Sequence, residues 1–178
     1  MIAIAPYNAS WPPMFEAEAT RIREVLGGRA LRIEHVGSTS IPGLAAKPVI
    51  DIQISVQSLE PRGAFVQLLT ELGYAHVPLG PFDLVYPFFQ RPEQWPSTHH
   101  VHLCVAGSKQ EGEHLAFRDY LRQHASVVSE YLALKHELAV SNHGITLESR
   151  ERYSLAKTEF VHSVLQRAGH LPPPHIDA

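Results

Sequence analysis

Apolar and polar positions alternate over residues 50–56: Ile50, Ile52, Ile54 and Val56 fall on one face of an extended segment, Asp51, Gln53 and Ser55 on the other. The run predicts a strand with a core face and a polar face. Ahead of it, residues 11–26 carry Phe15, Ile22, Val25 and Leu26 at helical spacing, with Ser10 as a candidate cap, Pro12 and Pro13 suited to the first turn and Gly27-Gly28 as a stop. A strand over 30–36 then runs into the turn Gly37-Ser38-Thr39-Ser40. After the Asp51 strand come a helix over 61–72 and a Pro-rich middle with candidate strands at 74–77, 84–89 and 101–105; Pro87 makes the second of these an edge strand or a bulge. From 111 to 168 the apolar period becomes helical and predicts three helices, the last two separated at Asn142 and Gly144.

The elements describe an α+β fold: a mixed β-sheet with flanking helices, then a C-terminal helical segment. One domain is expected over residues 1–169, with its sheet part in 1–106 and its helical part in 111–169, followed by a Pro-rich tail over 170–178 expected to be poorly ordered. The length of 178 residues is enough to bury a core without disulfides. Cys104 is the only cysteine, which excludes an intrachain disulfide or a thiolate zinc cluster and makes a cytoplasmic location the simplest expectation. No signal peptide and no stretch of membrane-spanning length is read, so no membrane partner is expected. With 15 Lys and Arg against 18 Asp and Glu, the balance argues against extended nucleic-acid binding and leaves room for a small anionic ligand. The oligomeric state is not legible.

Asp is depleted in strands, and a carboxylate in an apolar run must find a metal, a protonated group or a donor. Asp51 is therefore the first candidate site residue; its alternative is an ion pair with Lys47, Arg32 or backbone N–H groups. The turn Gly37-Ser38-Thr39-Ser40 offers what a phosphate needs, a glycine for close approach and several hydroxyls, although the same residues make ordinary turns. It is not a Walker loop. Lys47, held extended by Pro48, can reach toward that turn. His100 and His102 share one face of the strand over 98–103, either as a metal-binding pair or as an ordinary hydrogen-bonded one. Phe88, Phe89 and Trp95 can stack on a base or belong to the core.

The stretch His35-Val36-Gly37-Ser38-Thr39-Ser40-Ile41-Pro42-Gly43, continued by Lys47-Pro48-Val49-Ile50-Asp51-Ile52, resembles the GrpB-like family, which is placed in the polymerase-β-type nucleotidyltransferase superfamily. The resemblance continues at His100-Val101-His102-Leu103, Phe117-Arg118-Asp119-Tyr120-Leu121-Arg122, Tyr131-Leu132-Ala133-Leu134-Lys135 and Tyr153-Ser154-Leu155-Ala156-Lys157. It implies a nucleotidyltransferase-like sheet in which a Gly-Ser turn holds a nucleoside triphosphate and strand carboxylates hold Mg²⁺ for in-line transfer to an acceptor. Carried onto this chain, Gly37, Ser38 and Ser40 take the phosphate role with Lys47, and Asp51 is the first metal ligand and catalytic residue. Arg118, Lys135 and Lys157, within the recurring motifs, form a positive cleft wall or stay as helix-surface charges.

The chain departs from that pattern at Gln53, where the superfamily usually has a second carboxylate; an amide is a poorer ligand for a hard cation. The later strand offers His100 and His102 instead of a third carboxylate, which shifts the expected divalent metal from Mg²⁺ toward Zn²⁺ or Mn²⁺ held by Asp51, His100 and His102. Two functions follow: nucleotidyl transfer from a triphosphate to an unknown acceptor, or a catalytically depleted domain that binds a nucleotide or phosphorylated metabolite as sensor or accessory.

Overall fold

Strand β2 (Ile50–Val56) is sandwiched between β1 (Arg32–Val36), its antiparallel partner, and β5 (His99–Val105), which runs parallel to it. Strands β4 (Phe88–Arg91) and β3 (Ala75–His76) extend the sheet antiparallel, giving the order β1-β2-β5-β4-β3. The computed structural model describes residues 4–141, 148, 152 and 155–170. Its helices are α1 (Trp11–Leu26), α2 (Arg62–Glu71), α3 (Lys109–Gln123), α4 (Ala125–Ser141) and α5 (Thr158–Arg167). The mixed sheet with helices on both sides is the α+β architecture read from the sequence. The separator at Asn142 and Gly144, the motif residues Tyr153 and Ser154 and the tail from 171 onward lie outside the described residues.

The apolar face of β2 behaves as its pattern requires. Ile50, Ile52, Ile54 and Val56 are fully buried and pack with Phe15, Ile22 and Leu26 of α1, Phe65 and Leu69 of α2, and Phe89, Val101 and Leu103 of the neighbouring strands. Each such side chain stabilises the fold by about 1.5–3 kcal/mol. A second cluster joins Ile41 and Leu44 to Leu121, Val127, Tyr131 and Val164, and so holds α3, α4 and α5 together.

Three local expectations change. Ser10 does not cap α1 through its side chain; Trp11 N reaches Asn8 O at 3.1 Å, and Pro helps open the first turn, removing an N–H that would need a cap. The segment predicted as a strand over 84–89 divides into a short 3₁₀ turn, Gly80–Leu84, and the later strand β4; the apolar run Leu79, Phe82, Leu84 and Val85 faces solvent and is not core. Nor is that strand an edge or a bulge: β4 lies inside the sheet, and Pro87 sits just ahead of it, where its carbonyl accepts from Leu103 N at 3.0 Å and its missing N–H costs no ladder bond. The third change concerns the polar face of β2, which is not open. Gln53 and Ser55 are fully buried beneath α3, whose Glu111 accepts from Ser55 Oγ and from Arg32 Nε at 2.8 Å.

On the opposite side of the sheet Glu18 of α1 forms a buried knot. Its carboxylate takes both terminal nitrogens of Arg91, at 2.7 and 3.0 Å, the Tyr74 hydroxyl at 3.0 Å and Arg21 Nη1 at 2.8 Å.

Buried histidines give this fold an acid limit. His35 stacks on Phe15 with ring centroids 4.8 Å apart, and His99 lies beside Arg91. Burial above all depresses both, against the pull of Asp51 on His35 and with the push of Arg91 on His99, and each titrates at about 4. The unfolded chain therefore binds more protons than the fold between about pH 6.5 and pH 4, so stability is full above that window and falls as pH drops through it. Each histidine contributes on the order of 3 kcal/mol to the fall. Urea unfolding repeated across this window should show the loss, with His35→Gln giving a shallower slope; equal stability at both ends would contradict it.

Candidate functional site

The site begins where β1 ends. Gly37 has φ 68° and ψ −174°, a backbone conformation that L side chains rarely adopt, and it turns the chain into the 3₁₀ segment Ser38–Ser40. Within that turn Ser40 Oγ donates to Gly37 O at 2.6 Å and Thr39 Oγ1 donates to Val49 O at 3.0 Å, so two of the three hydroxyls hold the turn itself. Ser38 is half-buried at the start of the turn. The turn lies directly against Asp51: a Cβ placed on Gly37 would stand 2.9 Å from both Cβ and Cγ of Asp51 and nearer still to Oδ2.

Asp51 is paired in register with Val36 on one side and His100 on the other. His100 Nδ1 donates to Asp51 Oδ1 at 3.1 Å, and His100 Nε2 lies 2.8 Å from Ser97 Oγ. If the Ser97 hydroxyl donates to Nε2, the proton sits on Nδ1, facing the carboxylate. Burial pushes the Asp51 carboxyl up, but the bond to His100 and the pull of His100, His102 and Lys157 outweigh it, and it ends below the usual carboxylate range. Its side chain stays 26% exposed. Beside it opens a cavity of about 260 Å³, with Gly37, Asp51 and His102 on its wall together with residues of α3 and α5.

Two residues further along β2 the chemistry closes. Gln53 Nε2 donates to Glu111 O at 3.5 Å, and Gln53 Oε1 accepts from the Tyr86 hydroxyl at 3.4 Å. The Tyr86 ring stacks on His102 with centroids 4.9 Å apart, while its hydroxyl lies 2.5 Å from His114 Nδ1. Burial lowers His102 to about 3, and its Nδ1 is buried with no hydrogen-bond partner among the described residues. Tyr86 and His114 were not singled out from the sequence. His114 stands one turn before Arg118 on α3, and that spacing from a motif residue was the available signal.

The remaining sequence candidates are placed as follows. Lys47 is half-buried shortly before β2. Arg118 ties α3 to β1, donating to Glu34 at 2.7 Å and to His35 O at 3.1 Å, with its Nε on Asp119 at 2.7 Å. Lys135 is buried, donates to the Ala45 carbonyl and lies 5.0 Å from the Tyr131 ring centroid, so Tyr131 covers it. Burial, then the charge of Lys157, pushes Lys135 down to about 7. Lys157 is lowered by burial while Asp51 pulls it the other way. Gly37, Asp51, His100 and His102 thus come together, with Lys157 within electrostatic reach. Phe88 packs on His100 and His102, Phe89 is core, and Trp95 is exposed.

A metal was expected here, and the donor set does not fit one. Among the described residues no group of three or more His, Cys, Asp and Glu side chains is arranged to hold an ion. Asp51 and His100 meet through a hydrogen bond, His102 turns its ring to Tyr86, and Gln53 has its amide engaged at both ends. A pair of Mg²⁺ ions is ordinarily bridged by carboxylates on the strands, and on β2 Asp51 is the only one.

The family model described as GrpB protein matches residues 1–167. The chain belongs to the GrpB family. It is 36% identical over 168 residues to the UPF0157 protein YqkA of Bacillus subtilis, a match covering 94% of this chain and 47% of YqkA, so the chain spans about half the length of that relative. The crystal structure of the conserved protein GrpB from Enterococcus faecalis superposes with a TM-score of 0.79 at 32% identity, covering 93% of this chain and 96% of that one. The Cid1 poly(U) polymerase bound to MgATP superposes with a TM-score of 0.54 at 14% identity over 79% of this chain and 46% of its own, a likeness of fold. The GrpB sheet therefore shares its fold with that of the polymerase. No helix among the described residues is long and apolar enough to cross a membrane.

Proposed function

We propose that this GrpB domain binds a nucleotide or a related phosphorylated metabolite at the Gly37-Ser38 turn, as a member whose transfer chemistry is depleted and whose binding needs no divalent metal. The observation that carries the reading is the contact between Gly37 and Asp51: turn and carboxylate are built as one unit beside an open cavity. Depletion follows from Gln53. Its amide is satisfied by Glu111 O and Tyr86, which supports reading the position that the resemblance gives to a second carboxylate as one that joins sheet to helix.

Asp51 separates this reading from metal-dependent transfer by the sign of one effect. Where a metal bridges carboxylate and phosphate, Asp51→Asn abolishes binding. Without a bridge, the carboxylate repels the phosphate, and Asp51→Asn should tighten ATP and AMP binding by up to about tenfold, roughly 1.4 kcal/mol. Calorimetric titration of both nucleotides, with EDTA and with Mg²⁺, measures this. Loss of binding in Asp51→Asn, or release of pyrophosphate from ATP, would show that transfer chemistry survives.

Gln53→Glu tests the same point from the other side. Losing the amide donor and placing a charge against the Glu111 carbonyl should cost about 1–3 kcal/mol in denaturant unfolding, with no gain in Mn²⁺ affinity. Tighter Mn²⁺ binding at unchanged stability would count against depletion.

A further inference from the structure

We infer that the cavity beside Asp51 receives a protonated amine carried on a small apolar body, so that the ligand presents its phosphate to the Gly37 turn and its ammonium to the cavity. The inference rests on the reading of the turn as a phosphate site and names the other end of that ligand. Gly37 and Asp51 both contribute to the wall, so one molecule can touch the turn and the cavity together.

The wall is built to accept hydrogen bonds and positive charge. Two carboxylates line it, Asp51 from β2 and Glu113 from α3, beside the imidazoles of His102, His114 and His162, and among the described residues no lysine or arginine does. Asp51 is held ionised, and its bond to His100 leaves the second carboxylate oxygen toward Gly37. Glu113 is only loosely engaged, 3.6 Å from Lys109 at the outer end of α3. Lys157 is the cation whose charge reaches Asp51, and it does not belong to the wall.

His102 adds a second, independent sign of a missing partner. Its Nδ1 is buried and unpaired among the described residues, and buried polar atoms are ordinarily satisfied. A ligand N–H would satisfy it. Val36, Phe117 and Leu165 also line the cavity and suit a short aliphatic or aromatic body. A phosphate in the same space would meet two carboxylates and, among the described residues, no lysine or arginine, which is why the phosphate belongs at the turn.

Benzylammonium chloride is a suitable probe, with benzyl alcohol and inorganic phosphate as controls, followed by amide chemical shifts in the full chain. Benzylammonium should move the resonances of His102, Phe117 and Leu165 saturably, and benzyl alcohol should bind at least about tenfold more weakly, the ratio that 1.4 kcal/mol represents. Asp51→Asn should weaken benzylammonium about tenfold while tightening nucleotide, opposite signs from one substitution. Should Asp51→Asn fail to fold, Glu113→Gln, on the rim and outside the core, should still weaken the amine several-fold. Equal binding of the alcohol, shifts of the same resonances by phosphate, or no response to the amine would each overturn the inference. Nucleotide shifts at Ser38 without any amine response leave the phosphate reading standing and remove this one; amine binding without nucleotide binding does the reverse.

Discussion

Gly37→Ala is expected to lower stability by about 3–5 kcal/mol and to pull Asp51 away from His100. Two costs add. The backbone at φ 68° and ψ −174° is strained for any residue with a Cβ, and the new methyl falls 2.9 Å from Cβ and Cγ of Asp51, a side chain fixed in the middle of the sheet. The turn cannot retreat freely, because Thr39 is bonded to Val49 O and Ser40 to Gly37 O. Ligand binding should be lost along with the stability. The double variant Gly37→Ala/Asp51→Ala removes the contact with Cγ and leaves that with Cβ, so it should recover part of the deficit. Urea denaturation of wild type, both singles and the double decides the matter, and a Gly37→Ala protein as stable as wild type would refute the geometry.

Glu18→Ala is the second large effect. It leaves Arg91 without its carboxylate in a position where the side chain is only 20% exposed, and it strips the Tyr74 hydroxyl of its acceptor. Breaking a buried pair in this way costs about 3–5 kcal/mol, chiefly because the surviving charge stays buried. For a chain of this size the midpoint of thermal unfolding should fall by on the order of 10 °C. Glu18→Gln keeps acceptor and shape and should lose less. The pair Glu18→Leu/Arg91→Met removes both charges and should be more stable than Glu18→Ala, and a full thermodynamic cycle gives the coupling. If Glu18→Ala melts within a degree or two of wild type, the knot is not holding the sheet to α1.

Both effects were unequally legible in the sequence. Asp51 announced itself because a carboxylate in a β-branched run violates strand preference, and Gly37 because a glycine ahead of hydroxyls marks a special turn. The bounds of α1 were readable from Pro12, Pro13 and Gly27, each of which acts locally. Glu18 gave no such sign: on a helix dense in charge it looks solvated, and only the return of β4 past α1 brings Arg91 to it. The burial of Gln53 and Ser55 was hidden for the same reason, since alternation shows which side chains share a polar face and not what later covers it. The strand predicted over 84–89 begins too early, because Leu84 and Val85 are 69% and 47% exposed and only Phe88 and Phe89 of that run join the sheet. At the site, the family motifs reached Arg118 and Lys135, yet the groups that fill the space around Gln53 are Tyr86 and His114, set by tertiary contact alone.

The parallel pairing of β2 with β5 has a kinetic meaning as well. The hydrogen bond from His100 to Asp51 joins residues 49 apart in the chain, and the intervening segment must first run through α2, β3 and β4. Closing so long a loop costs entropy before any strand contact rewards it. The turn at Gly37 can form early, from neighbours alone, whereas the carboxylate beside it acquires its partner only when the centre of the sheet zips shut. A nascent or truncated chain ending before β5 would carry the turn without the site.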